Sequence, residues 1–222
     1  MKKITILSTV KISEAYCELF AKNNIELVQH NFIKTSPVNF KLPKHGGGWI
    51  FTSKNAVEAV YLSKEKEKCD GMQHFCVGEN TKSILIKNGQ KVLKMANNSI
   101  KLANFLKKMN KNENYIFCRG SIENKDFTKF FQIHAMNLIE IPVYKTKLAP
   151  LKIDLTFDGI MFFSPSAIKS FIKKNQIQNS ECFCIGETTS NFAKKFSDKT
   201  HFSLIPSVEN VINQTINFFK ND

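Results

Sequence analysis

Two pairs of polar turns, one pair in each half of the chain, carry the residues best suited to bind anions. The first pair comprises residues 52–55 and 77–81, and the second comprises residues 164–166 and 185–189. Each turn follows a short apolar run and precedes a segment in which apolar residues recur at helical spacing. The free N–H groups and positive dipole end of a helix start favour carboxylates and phosphates. The repeated turns therefore predict several anion sites.

The polar side chains of these turns are the candidate ligand-binding residues. Hydroxyl and amide side chains are also the preferred N-caps of helices, and for any one residue alone capping is the commoner role. Their occurrence as matching pairs favours binding over capping alone. The candidates are Ser53, Asn55, Thr81, Ser164, Ser166, Thr188 and Thr189.

Two further residues could take part in chemistry. Arg119, the only arginine, ends an apolar run and could bind a carboxylate through two hydrogen bonds. A structural ion pair with Glu123 or Asp126 explains it equally well. Tyr144 lies in an extended segment, where its phenol could reach a bound ligand or could instead pack on a hinge and bond a backbone carbonyl.

The sequence carries no motif for a metal, a nucleotide or a covalent nucleophile. The glycine triplet at residues 46–48 matches neither GxxxxGK[ST] nor GxGxxG. The five histidines are scattered, and the six cysteines form no CxxC pair. We therefore expect neither a metal nor a cofactor.

The elements that must position these residues alternate regularly along the chain. Short apolar runs are followed by helical segments of about ten residues, a pattern typical of a parallel sheet covered on both faces. One of these runs, residues 202–205, is predicted as the last strand. The fold class predicted is α/β, with two similar parallel-sheet domains of flavodoxin or Rossmann type. Because ligands bind beyond the carboxyl ends of parallel strands, we expect the turns to face a shared cleft.

The domain boundaries follow from counting strands. Three βα units after residue 148 are too few for a domain, but adding the N-terminal βαβ segment gives five strands. We therefore predict a discontinuous domain 1 and a continuous domain 2 joined by a two-stranded linker. Domain 1 comprises residues 1–34 and 148–222, domain 2 residues 40–140, and the linkers residues 35–39 and 141–147.

The chain is strongly basic, with a net charge of +13 that comes almost entirely from lysine. Such a surplus favours polyanionic partners, although a general compositional bias toward Lys, Asn, Ile and Phe accounts for much of it. The lysines are spread over most helices, so a nucleic-acid binder ranks third among the functions considered. No apolar run approaches the ~20 residues of a membrane-spanning helix. We expect a cytoplasmic monomer that binds a small polyanion, with no nucleic-acid or membrane partner.

In order along the chain, these residues resemble the uroporphyrinogen-III synthase family, which closes a linear tetrapyrrole into a macrocycle. The resemblance covers nearly the whole chain. The departure is that the family usually carries more arginines, so carboxylate binding here must rely on backbone amides and lysines. The matching segments are residues 50–57, 77–81, 119–120, 143–146, 158–167, 185–189 and 206–209.

The resemblance implies a function and a division of roles. The substrate would be hydroxymethylbilane, a linear tetrapyrrole with eight carboxylates, cyclised to uroporphyrinogen III with loss of water and inversion of the last ring, without a cofactor. The family's catalytic tyrosine matches Tyr144, and its threonines match Thr81, Thr188 and Thr189. The alternative function is a non-catalytic, two-lobed binding module for a polyanionic ligand.

Overall fold

The computed structural model describes residues 3–44, 46–109, 113–122 and 125–220. The strands, in chain order, are β1 (Ile4–Ser8), β2 (Ile25–Gln29), β3 (Ile33–Pro37), β4 (Gly48–Phe51), β5 (Gln73–Val77), β6 (Val92–Ala96), β7 (Tyr115–Gly120), β8 (Leu138–Leu148), β9 (Gly159–Phe162), β10 (Glu181–Cys184) and β11 (Thr200–Phe202). The helices are α1 (Glu14–Lys22), α2 (Lys54–Tyr61), α3 (Glu79–Lys87), α4 (Ser99–Met109), α5 (Lys125–Ile133), α6 (Pro165–Phe171), α7 (Glu187–Ala193) and α8 (Val208–Lys220), with one 3₁₀ turn at Lys66–Lys68.

The chain divides into two compact units. Unit 1 comprises residues 1–34 and 147–222, and unit 2 comprises residues 35–146. Of the predicted linkers 35–39 and 141–147, residues 35–39 and 141–146 lie within unit 2, and Lys147 begins the second part of unit 1. The strands β3 and β8 are neighbours in the sheet of unit 2.

Unit 1 contains a five-stranded sheet in the order β11-β10-β9-β1-β2. All four neighbouring pairs are parallel. Its central strands are continuous apolar runs because helices cover both faces of the sheet. Accordingly, Ile6, Ile160 and Phe183 are wholly buried. The strand count of five predicted from the sequence is therefore correct.

Unit 2 contains a six-stranded sheet in the order β3-β8-β7-β4-β5-β6. The pairs from β8 to β6 are parallel. Its core is rich in aromatic side chains, with Trp49, Phe75, Tyr115 and Phe117 fully buried. The predicted α/β class with parallel sheets is confirmed.

The two sheets share one strand order, but the chain begins at a different strand of that order in each unit. Leaving β3 aside, the order β8-β7-β4-β5-β6 of unit 2 corresponds to β2-β1-β9-β10-β11 of unit 1. In this correspondence β4 matches β9 and β5 matches β10, the strands that precede the repeated turns. The sequence repeat therefore reflects two copies of one design, of which unit 1 takes its first two strands from the start of the chain.

The last strand differs from the prediction. We expected residues 202–205, whereas β11 is Thr200–Phe202. The neighbouring strand β10 ends at Cys184, which pairs with Phe202, so the residues after Phe202 have no strand to pair with, and Leu204 and Ile205 are 84% and 67% exposed. Apolar composition alone was misleading here.

No helix in the described part of the chain is both long enough and apolar enough to cross a membrane.

Candidate functional site

In each unit the predicted residues lie at the edge formed by the carboxyl ends of the strands, which we call the carboxyl edge. In unit 2 the strands β7, β4 and β5 are adjacent, so Gly120, Ser53 and Gly78 follow one another along this edge. In unit 1 the adjacent strands β9 and β10 place Ser164 and Gly186 in the same way. Parallel pairing thus assembles each pair of turns that the sequence separates.

Each carboxyl edge combines one serine-capped helix with one glycine-capped helix. Ser53 Oγ accepts the Asn55 N–H at 3.2 Å at the start of α2, and Ser164 Oγ accepts the Ala167 N–H at 3.1 Å at the start of α6. The caps of α3 and α7 are Gly78 and Gly186. A glycine offers no side-chain acceptor, so no cap side chain competes with water or an anion for the first N–H groups of these two helices.

Gly78 requires the conformational freedom of glycine, because its φ is +82°. Its N–H donates to the Ala96 carbonyl of the neighbouring strand at 3.0 Å, which anchors the turn on β6. Gly186, in contrast, has an extended backbone that any residue adopts.

The structure joins Tyr144 to Ser53. The phenol hydroxyl of Tyr144, on β8, donates to Ser53 Oγ at 3.2 Å, and both side chains are partly exposed. The Tyr144 carbonyl accepts the Ser121 N–H at 2.8 Å, directly after β7. Of the two roles considered for the phenol, a bond to a backbone carbonyl is therefore not the one observed.

Arg119 has a different partner from the two we predicted. Its Nε lies 2.5 Å from Oε2 of Glu140, and its Nη1 donates to the Gly120 carbonyl at 2.9 Å. Glu123 lies outside the described residues. The Arg119 side chain is only 14% exposed. Glu140 lies on the adjacent strand β8, and the spacing of the two residues along the chain does not reveal that they pair.

The remaining candidates differ in accessibility. Thr81 and Thr189 are buried, with 4% and 3% exposure, because each follows its glycine cap on the face of the helix that meets the sheet. Thr188 is exposed, whereas Asn55 and Ser166 are partly exposed. Two of the three threonines matched to the family are thus buried within their units.

Sequence reasoning missed two polar residues at the carboxyl end of β1, the counterpart of β7. Ser8 and Thr9 are fully buried, and their hydroxyls donate to the Val10 carbonyl at 2.6 Å and the Met161 carbonyl at 2.7 Å. A Ser-Thr pair after an apolar run was the only available signal. Both hydroxyls satisfy backbone carbonyls and so stabilise the turn.

The cysteines on the strands below these edges are neutral thiols. Burial raises the pKa of Cys76 and of Cys184 to about 12. Burial also raises the pKa of Cys118 well above its ordinary value. Because only the thiolate is a good nucleophile, these side chains serve as small apolar groups. Among the described residues, no group of three or more His, Cys, Asp or Glu side chains could hold a metal ion.

The fold and its repeated turns define an α/β protein built from two parallel-sheet units with matching polar edges. Comparison with solved structures finds the same fold in uroporphyrinogen-III synthetase from Helicobacter pylori, at a TM-score of 0.71 and 16% identity, covering 97% of this chain and 99% of that one. A mutant uroporphyrinogen III synthase from the extremely thermophilic bacterium Thermus thermophilus is similar at a TM-score of 0.69 and 9% identity, covering 98% of both chains. No curated protein sequence matches the chain.

A family model described as uroporphyrinogen-III synthase HemD matches residues 14–212. The chain therefore belongs to the uroporphyrinogen-III synthase family, as the resemblance of its motifs predicted. It is a lyase of haem biosynthesis that cyclises hydroxymethylbilane to uroporphyrinogen III, with loss of water and inversion of the last pyrrole ring. The alternative of a non-catalytic binding module is not favoured.

Proposed function

We propose that the carboxyl edge of unit 2 is where the substrate hydroxyl leaves, and that Tyr144 is the hydrogen-bond donor to it. The observation that carries this proposal is the Tyr144–Ser53 hydrogen bond of 3.2 Å, which holds a partly exposed phenol at the end of β4. The C–O bond of the substrate breaks as its oxygen accumulates negative charge. The phenol has a single hydrogen, so on substrate binding that hydrogen turns from Ser53 Oγ to the leaving oxygen, where it stabilises the developing charge.

The helix starts of each carboxyl edge suit carboxylates such as those of the substrate. The support is the shared arrangement of one serine cap and one glycine cap in each unit. Backbone N–H groups at the glycine-capped starts suit carboxylates because the helix dipole adds to the hydrogen bonds. The side chains proposed to assist are Ser53, Asn55, Thr81, Ser164, Ser166, Thr188 and Thr189.

Among these, Thr188 is the best placed for direct contact, because it is exposed, whereas Thr81 and Thr189 are buried. The two buried threonines contribute by orienting their turns. Arg119 enters the proposal with a changed role. A substrate carboxylate would have to compete with Glu140 for the guanidinium, so Arg119 acts mainly by holding the end of β7.

We also propose that the chain works as a cytoplasmic monomer. Each pair of turns comes from a single chain, so neither carboxyl edge requires a second copy. The six cysteines are free thiols, and five of them are buried. Free thiols are typical of proteins from reducing compartments. Light scattering coupled to size exclusion should give a mass near 25.4 kDa at all concentrations tested.

The experiment that tests the proposal is product analysis with purified protein and its edge variants. Hydroxymethylbilane closes without assistance to the type I isomer, so the ratio of type III to type I reports the enzyme's control of the reaction. The wild-type chain should form mainly type III without added metal or nucleotide. Substitutions at the unit 2 edge should slow type III formation and raise the share of type I. An unchanged rate and isomer ratio in Tyr144→Phe would contradict the proposal.

A further inference from the structure

The strand pair β7 and β8 contains an irregularity next to Tyr144. Arg119 pairs with Pro142, but the next residue, Gly120, pairs with Tyr144, so Val143 is passed over. In regular pairing, Gly120 would have matched Val143. Such a bulge redirects the side chains that follow it. The bulge places Tyr144 opposite Gly120, which has no side chain.

The ring of Tyr144 occupies the space that a side chain at position 120 would fill. A Cβ on Gly120 would lie 2.7 Å from Cζ and 2.9 Å from the hydroxyl oxygen of Tyr144. Both distances are shorter than any van der Waals contact between such atoms. Gly120 is not among the residues with positive φ. Position 120 therefore requires glycine because a side chain would collide with Tyr144, and not because of an unusual backbone conformation.

The backbone around Gly120 is anchored by hydrogen bonds and an ion pair of its neighbours. Arg119 Nη1 donates to the Gly120 carbonyl at 2.9 Å while its Nε is paired with Glu140. Glu140 Oε1 in turn accepts the Thr128 hydroxyl at 2.8 Å, which ties the pair to α5. The Ser121 N–H donates to the Tyr144 carbonyl at 2.8 Å. Gly120 cannot move away from the phenol without breaking these contacts.

We infer that Gly120 is a positioning residue for the cyclisation. Its bare backbone and Ser53 Oγ together hold the Tyr144 hydroxyl at the carboxyl end of β4. This inference rests on the proposed role of Tyr144. It adds that Gly120, which has no side chain to contact the substrate, sets the orientation of the phenol.

The direct test is Gly120→Ala. The atoms that a methyl group would meet belong to the far end of the tyrosine ring, so the ring can swing aside while the fold is kept. We expect kcat to fall at least about tenfold, as for loss of the phenol donor, while KM stays within about twofold. The melting temperature should change by no more than a few degrees.

A double-mutant cycle separates positioning from a general structural effect. If Gly120 acts through Tyr144, the combined Gly120→Ala/Tyr144→Phe variant should be no slower than the slower single variant. Additive losses would overturn the inference. Ser121→Ala is the matched control, because it changes the adjacent turn residue but keeps the backbone N–H that donates to Tyr144. It should retain the wild-type rate.

Fluorine NMR supplies a readout that does not depend on activity. With 3-fluorotyrosine incorporated, the four tyrosines give separate signals, and the Tyr144 signal is the one lost in Tyr144→Phe. Gly120→Ala should shift this signal and leave the other three in place. An unshifted signal would overturn the inference.

The outcomes distinguish the inference from the proposed function. If Tyr144→Phe is slow but Gly120→Ala keeps the wild-type rate, the inference fails and the role of Tyr144 stands. If Tyr144→Phe keeps the wild-type rate, the proposed role of Tyr144 fails. Should Gly120→Ala not fold, Glu140→Gln replaces it. Glu140→Gln weakens the ion pair that holds Arg119 against the Gly120 carbonyl. Its loss of kcat should disappear when Tyr144→Phe is also present. A loss that persists in the double variant would overturn the inference.

Discussion

The hydroxyl of Tyr144 donates to Ser53 Oγ at 3.2 Å, although 91 positions separate the two residues in the chain. The same oxygen accepts the Asn55 N–H at 3.2 Å at the first turn of α2. One serine oxygen therefore caps a helix and orients a phenol. This sharing links the stability of the helix start to the geometry of the proposed donor.

Tyr144→Phe removes the hydroxyl and keeps the ring that packs on the core. We expect the variant to fold normally and to show a similar KM, with kcat at least about tenfold lower, because a donor facing developing charge commonly contributes roughly 10²–10³. Steady-state kinetics with isomer analysis and a thermal melt measure the effect. Tyr16→Phe, in α1 of unit 1, is the matched control and should keep the wild-type rate.

A smaller loss in Tyr144→Phe would show that positioning of the substrate carries nearly all of the catalysis. A large drop in melting temperature would show that the hydroxyl mainly stabilises the strand end. Wild-type rate and isomer ratio together would remove Tyr144 from the chemistry.

Ser53→Ala should affect stability and turnover together. Loss of an N-cap side chain costs about 1 kcal/mol in the free energy of unfolding, and the phenol loses its acceptor at the same time. Urea denaturation and kinetics on one preparation test this expectation. Ser164→Ala removes the corresponding cap of α6 and should lower stability by a similar amount. Because Ser164 has a proposed role in carboxylate binding, its variant should raise KM rather than lower kcat.

Salt should weaken substrate binding. The chain carries a net charge of +13 and the substrate is a polycarboxylate. Screening shortens the Debye length from about 10 Å at 0.1 M salt to about 3 Å at 1 M, so KM should rise across this range while kcat changes less. Duplex DNA should compete poorly. Tight, salt-sensitive retention of DNA at concentrations that leave cyclisation unaffected would instead support a nucleic-acid role.

His74 should make the protein less stable in mild acid. The ring is fully buried, its Nδ1 lies 2.9 Å from the Met72 carbonyl, and its Nε2 lies 3.0 Å from the Tyr61 hydroxyl. Because a carbonyl only accepts, Nδ1 carries the proton and Nε2 accepts from Tyr61. Burial lowers the pKa of His74, against smaller opposing effects of the Met72 hydrogen bond and of Asp70.

The sign of the effect follows from this lowered pKa. As the pH falls through about 6.5, the unfolded chain takes up a proton at this histidine before the folded chain does, so stability is lost. Above about pH 7.5 the residue is neutral in both states and contributes no slope. His74→Gln should be less stable than wild type at pH 8 but decline less steeply from pH 7 to pH 5. Equal slopes for the two proteins would contradict the assignment.

The pattern of strands and helices was predictable because it depends on local periodicity. Apolar runs such as residues 49–51 and 160–162 are continuous since helices cover both faces of a parallel sheet, and this signal survives without any knowledge of tertiary contacts. The repeated turns were also visible in the sequence. Residues 202–205 show the limit of prediction from local periodicity. A short apolar run predicts a strand whether or not a partner strand is available, and here β11 ends at Phe202.

The chain by itself thus determined the α/β class, the two serine and two glycine turns, and the family resemblance carried by its motifs. Only the tertiary structure decided which of these residues meet. The partner of Arg119 is Glu140 and the partner of Tyr144 is Ser53, because strand order and a bulge between Arg119 and Gly120 set the neighbours across β4, β7 and β8. Likewise, the burial of Thr81 and Thr189 depends on which face of each helix meets the sheet. Pairing between strands is non-local, so no spacing along the chain encodes it.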